Sequence, residues 1–426
     1  MSKAPVNAEP VSRFRSAHAV HADWQIATER CLAELEAQLR HPRRARRGRL
    51  GVLYLSDHHA EHASEIHAFM KVRTGVIDWI GSVGISIAAD AVEYTDEPVI
   101  AVMLLDLPPD SCRVFSSLAT VPLAGERTST GAIAASSALI HVDPGAVDLA
   151  SQLSELAARL DSGLLVGAMS SSRTTSLQIA NRTLVSQGSI SGVVFASDVM
   201  TRTRLTHACH PIRRRGRRVA PRRIDRCEGN QVLLIDGRPA LDVMLEDLDA
   251  PRLRGIAGLQ PWLQRHLPDG GLHVGLAGSP EQLRERFDTT VMSPIIAIDP
   301  AYRSIAIAAL PVVGQGLVFC ARDRAAARAD LIRICTELRE EVENDAPALA
   351  ITPTATPAEA VHGTDRIRGA ILLSCVARGA RLFDQNEELE IVRQQLGDVP
   401  LIGLFASAEI SNAQVQSQTA VLTVFA

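Results

Sequence analysis

The chain has 426 residues, 46% of them hydrophobic and 22% charged, with a formal net charge of −4. That profile belongs to a soluble globular protein with apolar material for two or three cores, and it argues against a chain drawn to nucleic acid by its overall charge. Aromatic residues make up only 4%, so the cores must be aliphatic and alanine-rich.

The seven cysteines are Cys31, Cys112, Cys209, Cys227, Cys320, Cys335 and Cys375, and no two of them form a C-x-x-C pair. The odd number and apolar surroundings read as reduced thiols in a cytoplasmic protein. The first twenty residues contain no apolar signal core, and no apolar run reaches the ~18 residues of a membrane span.

In chain order, residues 1–15 read as disordered. Residues 22–39 carry Trp24, Ile26, Cys31, Leu32, Leu35 and Leu39 at helical spacing, with Asp23 placed to cap the first turn. "RHPRRARRGR" ends that helix as a basic linker. "LGVLYLS" (50–56) is a buried strand and "HHAEHASEIHAFMKVR" the helix after it. "VIDWIGSVGISI" and "PVIAVMLLDL" (98–107) are strands, and residues 147–160 an amphipathic helix. "GLLVGAMSSS", "SGVVFASD" and "TRLTHACHPI" continue as strands. Residues 229–248 read as a hairpin turning at Asp236–Gly237 and running into a helix. "GLHVGLAG", "SPIIAIDP", "SIAIAAL" and "QGLVFCA" are strands, followed by a long helix over 324–344 with Asp323 as its N-cap. "TPTATPAEAVHG" is a surface loop. "RGAILLSCVARGARLF" is strand then loop, "NEELEIVRQQLG" a helix stopped by Gly397, and two apolar strands close the chain. The alternation predicts an α/β protein of two consecutive mixed-sheet domains with flanking helices.

Three stretches carry residues suited to chemistry. "HHAEH", His58 to His62, fits the H-x-x-E-H pattern, in which two histidines four apart on a helix bind zinc beside a glutamate base. It supports a zinc-hydrolase reading on His58, Glu61 and His62, with His67 nearby. The competing reading is a solvated first helical turn. "THACHPI" places His207, Cys209 and His210 together. On one extended strand His207 and Cys209 would face one side and His210 the other, so they cannot share a metal without a bend. The arginine run over 213–223 has no interleaved aromatics and reads as an unstructured basic loop, not a nucleic-acid arm. No phosphate-binding glycine loop and no serine nucleophile elbow is present.

The order of "LGVLYLS", "WIGSVG", "VGAMSS", "THACHPI", the 229–248 phrase, the 295–331 segment, "GAILLSCVARGARLF" and "VPLIGLFASAEI" resembles the FIST family of sensory domains. The resemblance runs from about Arg15 to Ala426. It implies an N-terminal helix and linker over 16–48, a FIST N-terminal domain over 49–238 and a FIST C-terminal domain over 239–426. It also implies an intracellular, non-enzymatic sensor that binds a small ligand such as an amino acid or related carboxylate and passes its signal to a separate protein such as a histidine kinase. Some members are haem-binding nitric-oxide sensors, which makes His207 and His210 candidate haem ligands.

On the matching segments the candidate ligand residues are Cys209, Arg322, Asp323, Cys375, Arg378, Gly379 and Glu409. Arg378 offers a planar fork for a carboxylate, and Glu409 suits a ligand amine or that arginine. An internal Arg378–Glu409 salt bridge, a buried Cys375 and a capping Asp323 are the structural alternatives. Ala208, Ala377 and Ala408 stand where the family usually has glycine, which would strain or fill the site.

Overall fold

Seven-residue runs such as "LGVLYLS" lack the polar alternation of a half-exposed strand, so they need cover on both faces. The computed structural model provides that cover. It describes residues 13–39, 48–118, 121, 134–181, 183–186, 188–250, 261, 271–285, 287, 290–345 and 366–426. Residues 1–12 of the expected disordered start, most of the basic linker and the Pro/Thr-rich loop lie outside these residues; against that expectation Phe14 is buried and Arg15 opens a strand.

The first strands are β1 (Arg15–Val20), β2 (Leu50–Ser56), β3 (Asp78–Gly84), β4 (Ser86–Ala89), β5 (Val92–Thr95) and β6 (Val99–Leu105). A second set follows: β7 (Cys112–Phe115), β8 (Ser137–Val142), β9 (Leu164–Met169), β10 (Leu177–Ala180), β11 (Thr183–Ser186) and β12 (Ile190–Phe195). After β13 (Thr201–Thr206) come ten strands of a different body: β14 (Cys209–Pro211), β15 (Arg213–Arg214), β16 (Arg217–Arg218), β17 (Arg222–Glu228), β18 (Gln231–Ile235), β19 (Arg238–Pro239), β20 (Leu272–Ala277), β21 (Val291–Asp299), β22 (Ser304–Ile307) and β23 (Gly316–Arg322). The chain finishes with β24 (Gly369–Cys375), β25 (Leu401–Ala406), β26 (Ala408–Ser411), β27 (Gln414–Gln416) and β28 (Ala420–Phe425). The three sheets that hold the parallel pairs β2/β3, β8/β9 and β24/β25 are mixed and helix-flanked, as the α/β reading expects. By internal contacts the larger unit joins residues up to Thr206 with those from Leu331 onward, and the smaller unit is His207–Asp330.

The larger unit is a threefold repeat. Its sheets run β1-β6-β2-β3-β10-β11, β7-β12-β8-β9-β26-β27 and β13-β28-β24-β25-β4-β5. Each has a central parallel pair, β2/β3, β8/β9 or β24/β25. Parallel neighbours need a crossover, and the helices Ala63–Thr74, Leu149–Ala158 and Glu387–Leu396 supply the three. Each repeat then gives a hairpin away: β4–β5 completes the third sheet, β10–β11 the first, and β26–β27 the second. Only Ile85 separates β3 from β4, and only Ser407 separates β25 from β26. A one-residue link leaves no room to fold back on the parent sheet.

A glycine marks the equivalent point in each repeat: Gly81, Gly167 and Gly403. A Cβ on any of them would strike the backbone carbonyl of Leu53, Ile140 or Leu372 on the parallel neighbour. The inner faces share one apolar core that includes Tyr54, Ile80, Leu139, Val166, Ile371 and Leu404. Within it the Tyr54 hydroxyl meets His141 Nε2 at 3.1 Å, and burial pushes that histidine down to about 3, so it is neutral.

The smaller unit is antiparallel. Its sheet runs β14-β23-β17-β18-β22-β21-β20, and β20 also bonds β23, so six strands close into a ring. Ile224, Val232, Val274, Ile305, Phe319 and helix residues Val243 and Met244 fill it. The Asp236–Gly237 hairpin turn is present with both φ angles positive.

Two local expectations are corrected. The helix expected from His58 begins as a 3-10 turn over Asp57–His62, and the α-helix starts at Ala63. The arginine run is an ordered hairpin, β15–β16, turning at Arg215–Gly216 with positive φ at both. Its neighbours brace it: Arg214 pairs with Glu246 at 2.8 Å, and Arg222 Nε bonds the buried Asp247 at 2.9 Å.

If the repeat glycines are fixed by close approach, Gly403→Ala should destabilise the protein by about 1–3 kcal/mol in urea denaturation. A change within error would contradict the packing assigned to that position.

Candidate functional site

The loop leaving β24 gathers buried charge. Glu93, Arg378, Glu388 and Glu409 are each at most 7% exposed. The partner of Arg378 is Glu388, on the first turn of the helix Glu387–Leu396: Nε donates to Glu388 Oε1 at 2.8 Å and Nη2 lies 2.7 Å from the same oxygen. The guanidinium carbon stands 5.4 Å from the Phe383 ring centroid. Arg378 Nη1 has no hydrogen-bond partner, although it is buried. Glu388 uses its other oxygen to accept from Ser374 Oγ at 3.0 Å and from the Gly379 amide at 3.4 Å.

Gly379 is where the turn must be glycine. Its φ is +47°, and an added Cβ would lie 2.8 Å from Glu93 Cδ. The Ala380 amide donates to Glu93 Oε1 at 3.4 Å, so this turn holds two carboxylates on successive amides. Burial raises the Glu93 carboxyl above its ordinary range, against the pull of those bonds.

Glu409 lies on β26 and is fully buried. Its Oε2 accepts from the Thr419 hydroxyl at 2.6 Å and the Thr419 amide at 3.2 Å. Its Oε1 has no partner. Burial pushes the carboxyl up to about 8, against the Thr419 bonds and the charge of Arg378. Gln416, directly opposite on β27, also buries a partnerless Oε1. Burial first, then the nearby Glu409, pushes the Cys375 thiol up to about 11, so Cys375 is a small neutral group in this wall.

The structure therefore brings together Cys375, Arg378, Gly379 and Glu409. The other candidates lie in the smaller unit. Cys209 sits opposite Arg322 across β14–β23 and packs in an apolar cluster with Cys320 and Met292. Arg322 is buried. Asp323 caps the helix Arg324–Asn344 by accepting from the Ala326 amide at 2.7 Å, and its other oxygen is 3.5 Å from His210 Nδ1. Ala208 has φ +59°, so the alanine in the glycine position is strained, and this kink separates His207 from the strand carrying Cys209. Ala377 and Ala408 do not take positive φ.

The two candidate haem ligands have different surroundings. His207 is buried, its amide bonding Asp330. His210 lines an open cleft of about 320 Å³ with Pro211, Arg213, Arg218, Asp323, Ala325 and Ala326. That open cleft, flanked by the charged Arg213, Arg218 and Asp323, does not enclose a porphyrin, which needs an apolar slot around its axial ligand. The zinc reading fails on geometry. In a 3-10 turn residues four apart point about 120° from one another, against about 40° in an α-helix, so His58 and His62 do not converge. His62 stacks on Trp24 instead, and Arg173 holds Asp57 at 2.8 Å. Among the described residues no group of three His, Cys, Asp or Glu side chains is placed to hold a metal.

Sequence reasoning missed Glu388, Glu93, Gln416 and Thr419. A signal existed for Glu388 alone: it shares the buried helical stripe of Ile391 and Val392, where a charge needs a partner.

Comparison with known proteins agrees with the order of motifs. Residues 49–238 match the FIST N domain and residues 240–412 the FIST C domain, so the chain belongs to the FIST family, whose domains are associated with sensory signal transduction. It is 25% identical over 395 residues to the uncharacterized protein MT0656 of Mycobacterium tuberculosis, covering 89% of this chain and 91% of that one. It is 30% identical over 185 residues to the uncharacterized protein Mb0898c of Mycobacterium bovis, covering 43% of this chain and 40% of the relative's length. No helix among the described residues is long and apolar enough to cross a membrane.

A carboxyl raised to about 8 makes a signed prediction. Between the ordinary glutamate range and that value the folded state keeps a proton that the unfolded chain has lost, so the stability contributed by Glu409 falls as pH rises. The stability of Glu409→Gln relative to the native protein should therefore increase from about pH 5 to about pH 8.5 in urea titrations. A difference that does not change with pH would show that Glu409 is ionised throughout.

Proposed function

We propose that this protein is a non-enzymatic sensor of a small carboxylate-bearing molecule, an amino acid or a related acid, and that it reports to a separate signalling protein such as a histidine kinase. The observation that carries the reading is a pair of fully buried, partnerless groups in one cluster: Arg378 Nη1 and Glu409 Oε1. Buried polar atoms normally find partners, and leaving one unpaired costs about 1–3 kcal/mol. A carboxylate oxygen would satisfy Nη1 while Glu388 keeps the rest of the guanidinium aligned. The family's association with sensory signal transduction supports the same reading. The buried, neutral Cys375 thiol is no activated nucleophile.

A thermal-shift screen of amino acids and matched carboxylic acids should find one class that raises Tm progressively with concentration, the added stability reaching about 2.7 kcal/mol at a hundred times Kd. Arg378→Lys keeps the charge but loses the planar fork, and it should abolish the shift while still melting cooperatively. A screen with no shift, or an undiminished shift in Arg378→Lys, would contradict the assignment.

A further inference from the structure

The cleft of about 320 Å³ that does not enclose a porphyrin suits a smaller and more polar guest. It lies within the smaller unit, between the β15–β16 hairpin and the first turn of the helix Arg324–Asn344. The hairpin is anchored at its base. Ile212 and Val219 are buried in the core of that unit, and the Val219 amide donates to the Ile212 carbonyl at 3.1 Å. The strand register sets Arg213 directly opposite Arg218, and Arg214 opposite Arg217. Cross-strand neighbours share a face, so the two pairs point to opposite sides. Arg213 and Arg218 are the pair that lines the cleft. On the other side Arg214 is neutralised by Glu246 and Asp249.

Like charges directly opposite one another destabilise a strand pair. Yet Arg213 and Arg218 are exposed, and among the described residues neither is paired with a carboxylate. Arg213 reaches only the Gly216 carbonyl, at 3.4 Å. Acids are not scarce in this unit: Arg222, Arg226 and Arg238 each meet one at 2.6–2.9 Å. The acid on the cleft wall, Asp323, is committed elsewhere. One of its oxygens accepts from the Ala326 amide at 2.7 Å, and the other stands 3.5 Å from His210 Nδ1. The wall thus sets two guanidinium groups against one carboxylate that a helix end and an imidazole already face. Ala325 and Ala326 line the same cleft, and their short side chains leave room before the guanidinium groups.

We infer that this cleft binds the phosphoryl group of a phosphomonoester. A guanidinium presents a planar fork of donors matched to phosphate oxygens. Two of them side by side match the near-double charge of a phosphomonoester at neutral pH, and an anion between them relieves their mutual repulsion. A carboxylate brings one charge and two oxygens, too few for both forks. The open mouth admits a phosphoryl group projecting from a larger body. Its carrier is a small phosphorylated metabolite or a phosphorylated side chain of a partner protein. The site shares no residue with the Arg378 cluster and does not depend on the carboxylate-sensor reading.

The test is titration calorimetry on the full chain at fixed ionic strength. The probes are glycerol phosphate, a short end-capped phosphoserine peptide and its unphosphorylated form, with inorganic phosphate and acetate as competitors. Glycerol phosphate and the phosphopeptide are expected to bind at a single shared site. Inorganic phosphate should displace them, and acetate should not. Arg213→Gln and Arg218→Gln should each weaken glycerol phosphate at least about tenfold. Arg217→Gln removes the same charge from the other face and should change the affinity less than about twofold. All three positions are exposed, so each variant should melt as the native chain does. A phosphopeptide that binds more tightly than glycerol phosphate assigns the carrier to a protein; equal affinity assigns it to a small metabolite. Equal losses in the three variants would reduce the effect to diffuse charge and overturn the site. Acetate that competes as well as inorganic phosphate would overturn the phosphoryl assignment. No binding of either phosphorylated probe would overturn the inference outright.

Discussion

A guanidinium held out of water by one carboxylate organises the candidate site. Arg378 and Glu388 are each about 1% exposed, so neither can be hydrated if the other is lost. Removing one partner of such a pair costs about 3–5 kcal/mol. The surrounding turn is shaped by the same constraint. Gly379 brings its amide to Glu388 and leaves room for the carboxylate of Glu93, and Ser374 fills the second oxygen of Glu388. With Glu388 fully used, the remaining open atoms are Arg378 Nη1 and the acceptors of Glu409 and Gln416. A donor edge and two acceptors in a water-poor setting are what the proposed sensor would use for recognition, whereas a closed salt bridge would leave nothing to bind.

The repeat explains how such a cluster can be built. Each hairpin is handed to a neighbouring sheet, so a site at its strand end draws residues from more than one repeat. Arg378 and Glu388 come from the third repeat, and Glu93 comes from the hairpin of the first. Of three equivalent hairpin positions, Ile87, Gln178 and Glu409, one has been made acidic, while the others were left apolar or internally satisfied. This division would give a threefold scaffold one candidate ligand site, as the proposed function requires.

Much of the fold was legible in the sequence because its signals are local. Asp23 caps its helix as the pattern predicts, bonding the Gln25 and Ile26 amides, and Asp236–Gly237 makes its hairpin turn. The "IG", "VG" and "IG" dipeptides at 80, 166 and 402 carry the repeat. It stayed hidden because the smaller unit separates β13 from β24, and because the exchange of hairpins is a long-range pairing. The site was half legible. Motif order pointed to Arg378, Gly379 and Glu409, which the structure brings together, yet the partner of Arg378 is a glutamate ten residues on, signalled only by its place on the apolar stripe of Ile391 and Val392. The histidine motif misled because H-x-x-E-H says nothing about whether its first turn is α or 3-10. Ala208 was readable: the glycine position did require positive φ, and alanine adopts it there at φ +59°.

The proposed sensor takes one small molecule at its buried Arg378–Glu409 cluster. Native mass spectrometry of the full chain, titrated with a mixture of amino acids and their deaminated analogues, tests it most directly. Binding is expected to saturate at one molecule per chain and to disappear in Arg378→Lys. Saturation at three molecules per chain, no bound molecule, or binding that survives the loss of the guanidinium fork would contradict it.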